Sequence, residues 1–397
     1  MKDKLLICSG IVALIALSLI LTSCTEKTKA VPKQVTAPQH AGVLTDYGVP
    51  QIKKLADKLR HSDTELTHIM VIGDSHTAAD FLSGQLRKQL QSQFGNGGIG
   101  FISPLAVPGN RYSNVKFSKA GGWQLENSRR EKNPGFTLGG NIAVPLSGKS
   151  EVRISAVDGE PELRAQALYR SRGETTLNVQ AQSHSLADSG WQWAMSAPVI
   201  VPASFAVSMT DGGDAQLGGF WLTNLQPHGV IVSALGINGA QVSMLDKWEA
   251  NWPGVLKKLE PDLIILAYGT NEAFNTDLPL NHYQQMLTRQ IKKIRQSVPD
   301  ATILLVGPGS SIMNKKGVGC RQRQPELLKP IIAVQKQVAQ VENVLFWDWF
   351  AFMGGDCSIE RWAVEGKARP DLIHLSAEGY QDSAAALWQD LAERLNL

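Results

Sequence analysis

The chain has 397 residues, 43% of them hydrophobic and 19% charged, with a formal net charge of +3. Such a length is comfortable for two domains, and the composition is that of a globular protein. The cations are spread along the chain without a dense basic block, which argues against nucleic acid as a partner.

Met1 to Lys4 carries Lys2 and Lys4, and Leu5 to Leu21 then runs without a charge. This is the charged and apolar layout of a secretory signal. Its end, Leu21-Thr22-Ser23-Cys24, resembles the lipobox of bacterial lipoproteins. That resemblance implies cleavage before Cys24 and lipid on its sulfur and new N-terminus. The alternative is an uncleaved membrane anchor, for which the apolar run is at the short limit. Either way the rest of the chain is expected outside the cytoplasm and tethered. The lipoprotein reading implies secretion across the inner membrane and a membrane anchor, with the periplasmic face of the outer membrane as the expected location. Thr25 to His40 is rich in Lys, Pro and Thr without an apolar period and reads as a flexible tether. Cys8 falls in the signal and Cys24 takes the lipid, leaving Cys320 and Cys357 as a candidate disulfide in an oxidising compartment, or as two free thiols.

Ile52 to Leu59 has helical spacing. Five short apolar runs follow: Ile69 to Ile72, Val230 to Leu235, Leu263 to Ala267, Ile303 to Val306 and Val344 to Phe346. Runs of this length suit strands buried on both faces. Helical patterns alternate with them over Ala79–Phe94, Val242–Leu259, Leu280–Ser297, Gln324–Val341 and Ala377–Leu395. The alternation predicts a three-layer α/β domain around a parallel five-stranded sheet. Between Phe101 and Gln226 the rhythm stops. Short strand-like pieces, Glu151–Ser155, Leu163–Tyr169, Thr176–Gln180, Ser204–Met209 and Phe220–Leu225, predict an inserted β-sandwich. The expected organisation is therefore a signal over 1–24, a tether over 25–45, an α/β domain over 46–105 and 227–397, and the insertion over 106–226.

Four motifs fall at the predicted strand ends. Gly73-Asp74-Ser75-His76 runs from the first buried strand into a helix, whose N-terminus favours developing negative charge. Leu235-Gly236-Ile237-Asn238-Gly239-Ala240 and Ala267-Tyr268-Gly269-Thr270-Asn271-Glu272 close the next two strands and offer amide donors of the kind acyl transfer needs. Asp371-Leu372-Ile373-His374 precedes the last helix with a spacing that lets the carboxylate hold the imidazole. Taken singly, each is also explained by a helix cap, a turn or a surface histidine.

In this order the four motifs resemble the SGNH, or GDSL-type, hydrolase superfamily, over Ile69 to Leu397 apart from the insertion. The resemblance implies a flavodoxin-like three-layer fold and a serine esterase. It makes Ser75 the nucleophile, His374 the general base and Asp371 its orienting carboxylate. The backbone N–H groups of Ser75 and Gly239 and the side chain of Asn271 would form the oxyanion hole. His76 stands where the superfamily often has Leu, and is read as structural or substrate-facing.

The stretch Gly73 to Asp80, the lipoprotein signal and the β-rich insertion are most similar to the peptidoglycan O-acetylesterases, where the insertion resembles a carbohydrate-binding module. That similarity implies an enzyme removing acetyl from O6 of N-acetylmuramic acid in cell-wall peptidoglycan; a monomer is expected, though the sequence carries no signal of oligomeric state. An O-acetyltransferase, an esterase for another acetylated envelope polysaccharide, and an inactive glycan-binding lipoprotein are the alternatives. Trp191, Trp193 and Trp221 are either sugar-stacking rings or core of the insertion. Gly95 to Gly100 fits G-x-G-x-x-G but follows a helical pattern and opens no helix, so it is read as a loop. Asp74, His76 and Asp80 lack a recognised ligand motif. No metal and no cofactor are expected.

Overall fold

The computed structural model describes residues 39–397, except 133–134, 147, 210–213 and 315. The secretory signal, Cys8 and the lipobox Cys24 lie outside the described residues.

Five strands form the parallel sheet, in the order Leu345–Trp347, Thr302–Val306, Leu263–Ala267, Leu66–Gly73, Gly229–Gly236. Their side chains alternate between two apolar layers, as a strand's period of two dictates. Met70, Ile72, Ile264, Leu266, Ile303 and Leu305 face one layer, together with the helices Trp252–Leu259, Leu280–Ser297 and Leu328–Glu342. Ile69, Val71, Ile265, Leu304, Val306 and Leu345 face the other, with Ile52–Arg60, Leu82–Phe94 and Ala377–Leu395.

The sheet is wider than the five strands expected. An antiparallel hairpin, Gln39–Ala41 and Leu44–Asp46, adds two strands beyond Leu345–Trp347. Part of the predicted tether is therefore structured. Leu44 is fully buried, the Val43 N–H donates to Asp390 Oδ2 at 3.0 Å, and Trp347 Nε1 donates to the same oxygen at 3.0 Å. One apolar residue and one distant carboxylate secure a segment whose own composition carries no period.

Two predicted helices also differ from expectation. Ala79–Phe94 begins later, at Leu82, and a separate short helix, Ser75–Ala78, precedes it, with Asp80 between them at φ +47°. Asp80 accepts hydrogen bonds from Ser83 Oγ, from Ser113 N and Oγ, and from Arg87. Val242–Leu259 becomes a 3₁₀ segment, Val242–Lys247, and the helix Trp252–Leu259, with Pro253 in its first turn, where proline is tolerated.

The insertion consists of two antiparallel sheets. One is built on Ser150–Ala156, Thr175–Val179 and Ser204–Met209, the other on Glu162–Ser171, Ala215–Thr223 and Asn141–Pro145. Val152, Ile154, Phe205 and Val207 of the first share an apolar cluster with Ala165, Ala167, Leu217 and Leu222 of the second. Gly98–Ile102 pairs antiparallel with Ala215–Thr223, so the inserted sheets begin before residue 106. Phe101 and Leu168 turn away into the core of the α/β domain, which keeps the insertion packed against it. Cys320 and Cys357 are joined in a disulfide, their Cα atoms 5.7 Å apart.

Candidate active site

Register places the four motifs together. Gly73 is paired with Gly236 on one side and with Ala267 on the other, so the three strands end level. Ser75, Gly239 and Asn271 follow those ends and reach the same edge of the sheet, where open α/β sheets hold their ligands. Small residues make the approach possible. A Cβ on Gly236 would stand 2.0 Å from the Ala78 backbone nitrogen, within the short helix that begins at Ser75.

Ser75 Oγ lies 2.8 Å from His374 Nε2, and His374 Nδ1 lies 2.9 Å from Asp371 Oδ2. The other carboxylate oxygen of Asp371 accepts the backbone N–H groups of Ile373 and His374, both at 2.9 Å. Partial burial pushes the Asp371 carboxyl up, but these hydrogen bonds and the imidazole outweigh it and hold the group below the usual range. An ionised Asp371 fixes the tautomer that leaves Nε2 free to take the serine proton.

Asn271 Nδ2 donates to Asp74 Oδ2 at 3.1 Å and to Ala240 O at 2.9 Å. The amide therefore sits between the neighbours of Ser75 and Gly239, with both hydrogens engaged. Asp74 also caps the short helix by accepting the His76 N–H at 2.9 Å. Burial raises its pKa to about 7 against the pull of these donors. Glu272, without an expected role, is fully buried and accepts the N–H of Val242 at 2.7 Å and of Gly269 at 3.0 Å. It ties the loop that carries Gly239 to the loop that carries Asn271. A fully buried acid beside a motif Asn was the available signal for it, and a helix-entry glutamate reads the same way in sequence.

His76 is buried. Its Nδ1 lies 2.8 Å from the Tyr380 hydroxyl, and its ring packs against Trp349 and His374, 5.2 and 5.3 Å away between centroids. Burial and the adjacent His374 lower its pKa to about 3, so the ring is neutral and supports the base by packing. Asp74, His76 and Asp80 are each engaged with protein partners, and no cluster suited to a metal ion occurs among the described residues. Gly95–Gly100 runs from the end of a helix into the strand Gly98–Ile102 and caps no helix start.

The three tryptophans divide. Trp193 is buried in the α/β core and donates from Nε1 to Gly135 O at 3.0 Å. Trp221 packs on the buried His68 ring at 4.6 Å. Trp191 is half-buried between the guanidinium groups of Arg170 and Arg172, at 4.7 and 4.5 Å. Burial of Trp193 and the cations over Trp191 leave neither with a bare ring face of the kind a sugar platform needs.

Comparison with known proteins agrees with the geometry. Residues 207–381 match the GDSL-like lipase/acylhydrolase family, a span that includes Gly239, Asn271, Asp371 and His374. Residues 97–202 match the N-terminal domain of peptidoglycan O-acetylesterase. A solved structure of a peptidoglycan O-acetylesterase shares 34% identity with this chain. It covers 89% of this chain and 99% of its own, with a TM-score of 0.81. The chain belongs to the peptidoglycan O-acetylesterase family. It is a mixed α/β, GDSL-type carboxylic ester hydrolase with an added β-rich region. Weaker likenesses are to a family two carbohydrate esterase from Clostridium thermocellum (11% identity, 71% of this chain and 99% of that one, TM-score 0.29) and to an acetyl xylan esterase (17%, 40% and 79%, 0.31). No curated protein matches the chain.

Proposed function

We propose that this family member is a serine esterase that removes O-acetyl groups from cell-wall peptidoglycan, with O6 of N-acetylmuramic acid as the acetylated position. The observation that carries the reading is the unbroken chain of hydrogen bonds Ser75–His374–Asp371, in a protein alignable along its length with a peptidoglycan O-acetylesterase. His374 Nε2 takes the proton of Ser75 as Oγ attacks the acetyl carbonyl. The resulting oxyanion is held by the N–H groups of Ser75 and Gly239 and by the Asn271 amide, which shares a hydrogen now given to Asp74 or Ala240. The C–O bond to the sugar then breaks, and His374 returns the proton to the departing hydroxyl. Water, deprotonated by the same imidazole, attacks the acetyl-serine and frees acetate.

The lipobox at Leu21–Cys24 supports a protein carried across the inner membrane and anchored through Cys24, at the periplasmic face of the outer membrane; the enzyme is taken to act as a monomer. The disulfide Cys320–Cys357 fits an oxidising compartment. The test is acetate release from O-acetylated peptidoglycan by the chain starting at Thr25, beside its Ser75→Ala variant. Release by the first and none by the second is expected. Equal release by both would remove Ser75 from the chemistry.

A further inference from the structure

The insertion reaches the active site at Arg129. A Cβ on Gly239 would stand 2.8 Å from Arg129 Nε and 3.3 Å from Nη2, so the guanidinium lies directly on the Gly239 Cα. Gly239 has φ +73° as well, so the backbone calls for glycine there. Arg129 is exposed, and its side chain has no ion pair, ring or hydrogen-bond partner among the described residues. Two other arginines of the insertion, Arg170 and Arg111, are occupied. Arg170 is spent on Glu249, Gln216 and Gly135 O, and Arg111 covers the Phe81 ring at 4.4 Å.

The backbone around Arg129 is fixed. Ser128 is fully buried, donates its N–H to Gly140 O at 2.9 Å, and accepts Lys247 Nζ of the α/β domain on its carbonyl at 2.5 Å. Asn127 Oδ1 accepts the Arg129 N–H at 2.9 Å while Asn127 Nδ2 donates to Asn141 Oδ1 at 2.6 Å. A second loop of the insertion grips the same region: Asn110 donates to Gly236 O at 3.0 Å and accepts Asn238 Nδ2 at 2.9 Å. An unpaired cation thus projects from a fixed stretch of backbone against Gly239, the residue whose N–H is proposed to meet the oxyanion.

We infer that Arg129 is a substrate-binding residue, supplied by the inserted module, that takes a carboxylate of the acetylated glycan. The inference rests on the proposed esterase reading. A guanidinium presents paired N–H donors that match a carboxylate, and it stays charged at every working pH. Peptidoglycan carries such groups in two places, on the lactyl ether of muramic acid once its peptide is removed and on the stem peptide itself. Arg129 therefore sets which acetylated sugars enter the cleft, and leaves bond making to Ser75.

The experiment compares pairs of O6-acetylated substrates that differ only in charge: a peptide-free muramoyl disaccharide as its lactyl acid or lactyl amide, and a peptide-bearing one with free or amidated carboxylates. The wild-type chain is expected to favour the acid in one pair, which identifies the source. Arg129→Gln should reduce that preference in kcat/KM by about 10–100-fold, the kinetic equivalent of one charge-assisted hydrogen bond, mostly through KM. Arg129→Lys should keep part of it. No preference in the wild type for either pair, or an equal fall on acid and amide in Arg129→Gln, overturns the inference. The equal fall would make the guanidinium an oxyanion donor. Absence of acetate release from every substrate by the wild type would instead refute the esterase reading.

Discussion

Leu372 sits at φ +59° between Asp371 and His374, a conformation that costs a branched side chain of order 1 kcal/mol or more. The turn is kept because Asp371 Oδ1 collects two backbone N–H groups across it, which leaves Oδ2 for the imidazole. At this scale the least redundant group is Asn271, whose single nitrogen bridges Asp74 and Ala240 and is proposed to serve the oxyanion. Asn271→Ala should lower kcat about 10²–10³-fold while the far-UV spectrum stays that of a folded chain. A rate within threefold of wild type would show that the Ser75 and Gly239 amides suffice.

Between elements, the strand ends are aligned by register, and the loops beyond them by buried carboxylates. Glu272 joins Val242 to Gly269, and burial pushes its pKa to about 7, with the two backbone donors pulling it back. Its folded value lies above its unfolded one. The associated stability is therefore fully present below the ordinary glutamate value and is lost as pH rises through about 7. Between those two values each such group subtracts up to about 1.4 kcal/mol per pH unit from the unfolding free energy, and above about 7 the loss levels off. Asp74, also raised to about 7, adds to the same slope. Denaturant unfolding between pH 4 and 9 should show wild-type stability falling up to about pH 7 and levelling off above it, with Glu272→Gln falling less steeply over the same range. Parallel curves would mean that Glu272 does not titrate there. The same variant frees the Gly239 loop from the Asn271 loop, so its kcat should fall even at pH 5.

At the scale of the whole molecule, two additions tie the α/β domain together. The hairpin Gln39–Asp46 closes one sheet edge, and the disulfide closes a loop of 37 residues between the segment after Thr302–Val306 and the helix that starts at Ser358. Replacing both Cys320 and Cys357 by Ser should cost about 3–4 kcal/mol on the loop-entropy account, read as a lower unfolding midpoint. Activity at low temperature should persist, because neither cysteine touches the triad. An unchanged midpoint would show that the loop is ordered without its crosslink. The insertion is the other whole-molecule feature. Its two sheets enclose their own core, yet Phe101, Leu168 and Trp193 belong to the core of the α/β domain and Arg129 to the cleft.

What was legible in the sequence follows from period, adjacency and resemblance. Five uninterrupted apolar runs announce strands buried on both faces, with the first three motifs at their ends, and the resemblance of the four motifs to the SGNH hydrolases named Ser75, Gly239, Asn271, Asp371 and His374 before any coordinates. Asp371 and His374 are three residues apart, and a local turn suffices to join them. Contacts that depend on distant partners left no trace. The hairpin at Gln39–Asp46 is secured by Asp390, the break at Asp80 by Ser113 and Arg87, and the role of Glu272 by Val242, each separated along the chain from the residue it fixes. The same holds for Trp191, Trp193 and Trp221, whose composition suggested stacking and whose surroundings bury or cover them. Arg129 is one arginine among many in the sequence. Only the packing of the insertion against the α/β domain brings it onto Gly239, because that contact depends on how two sheets seat on a third and on no pattern along the chain.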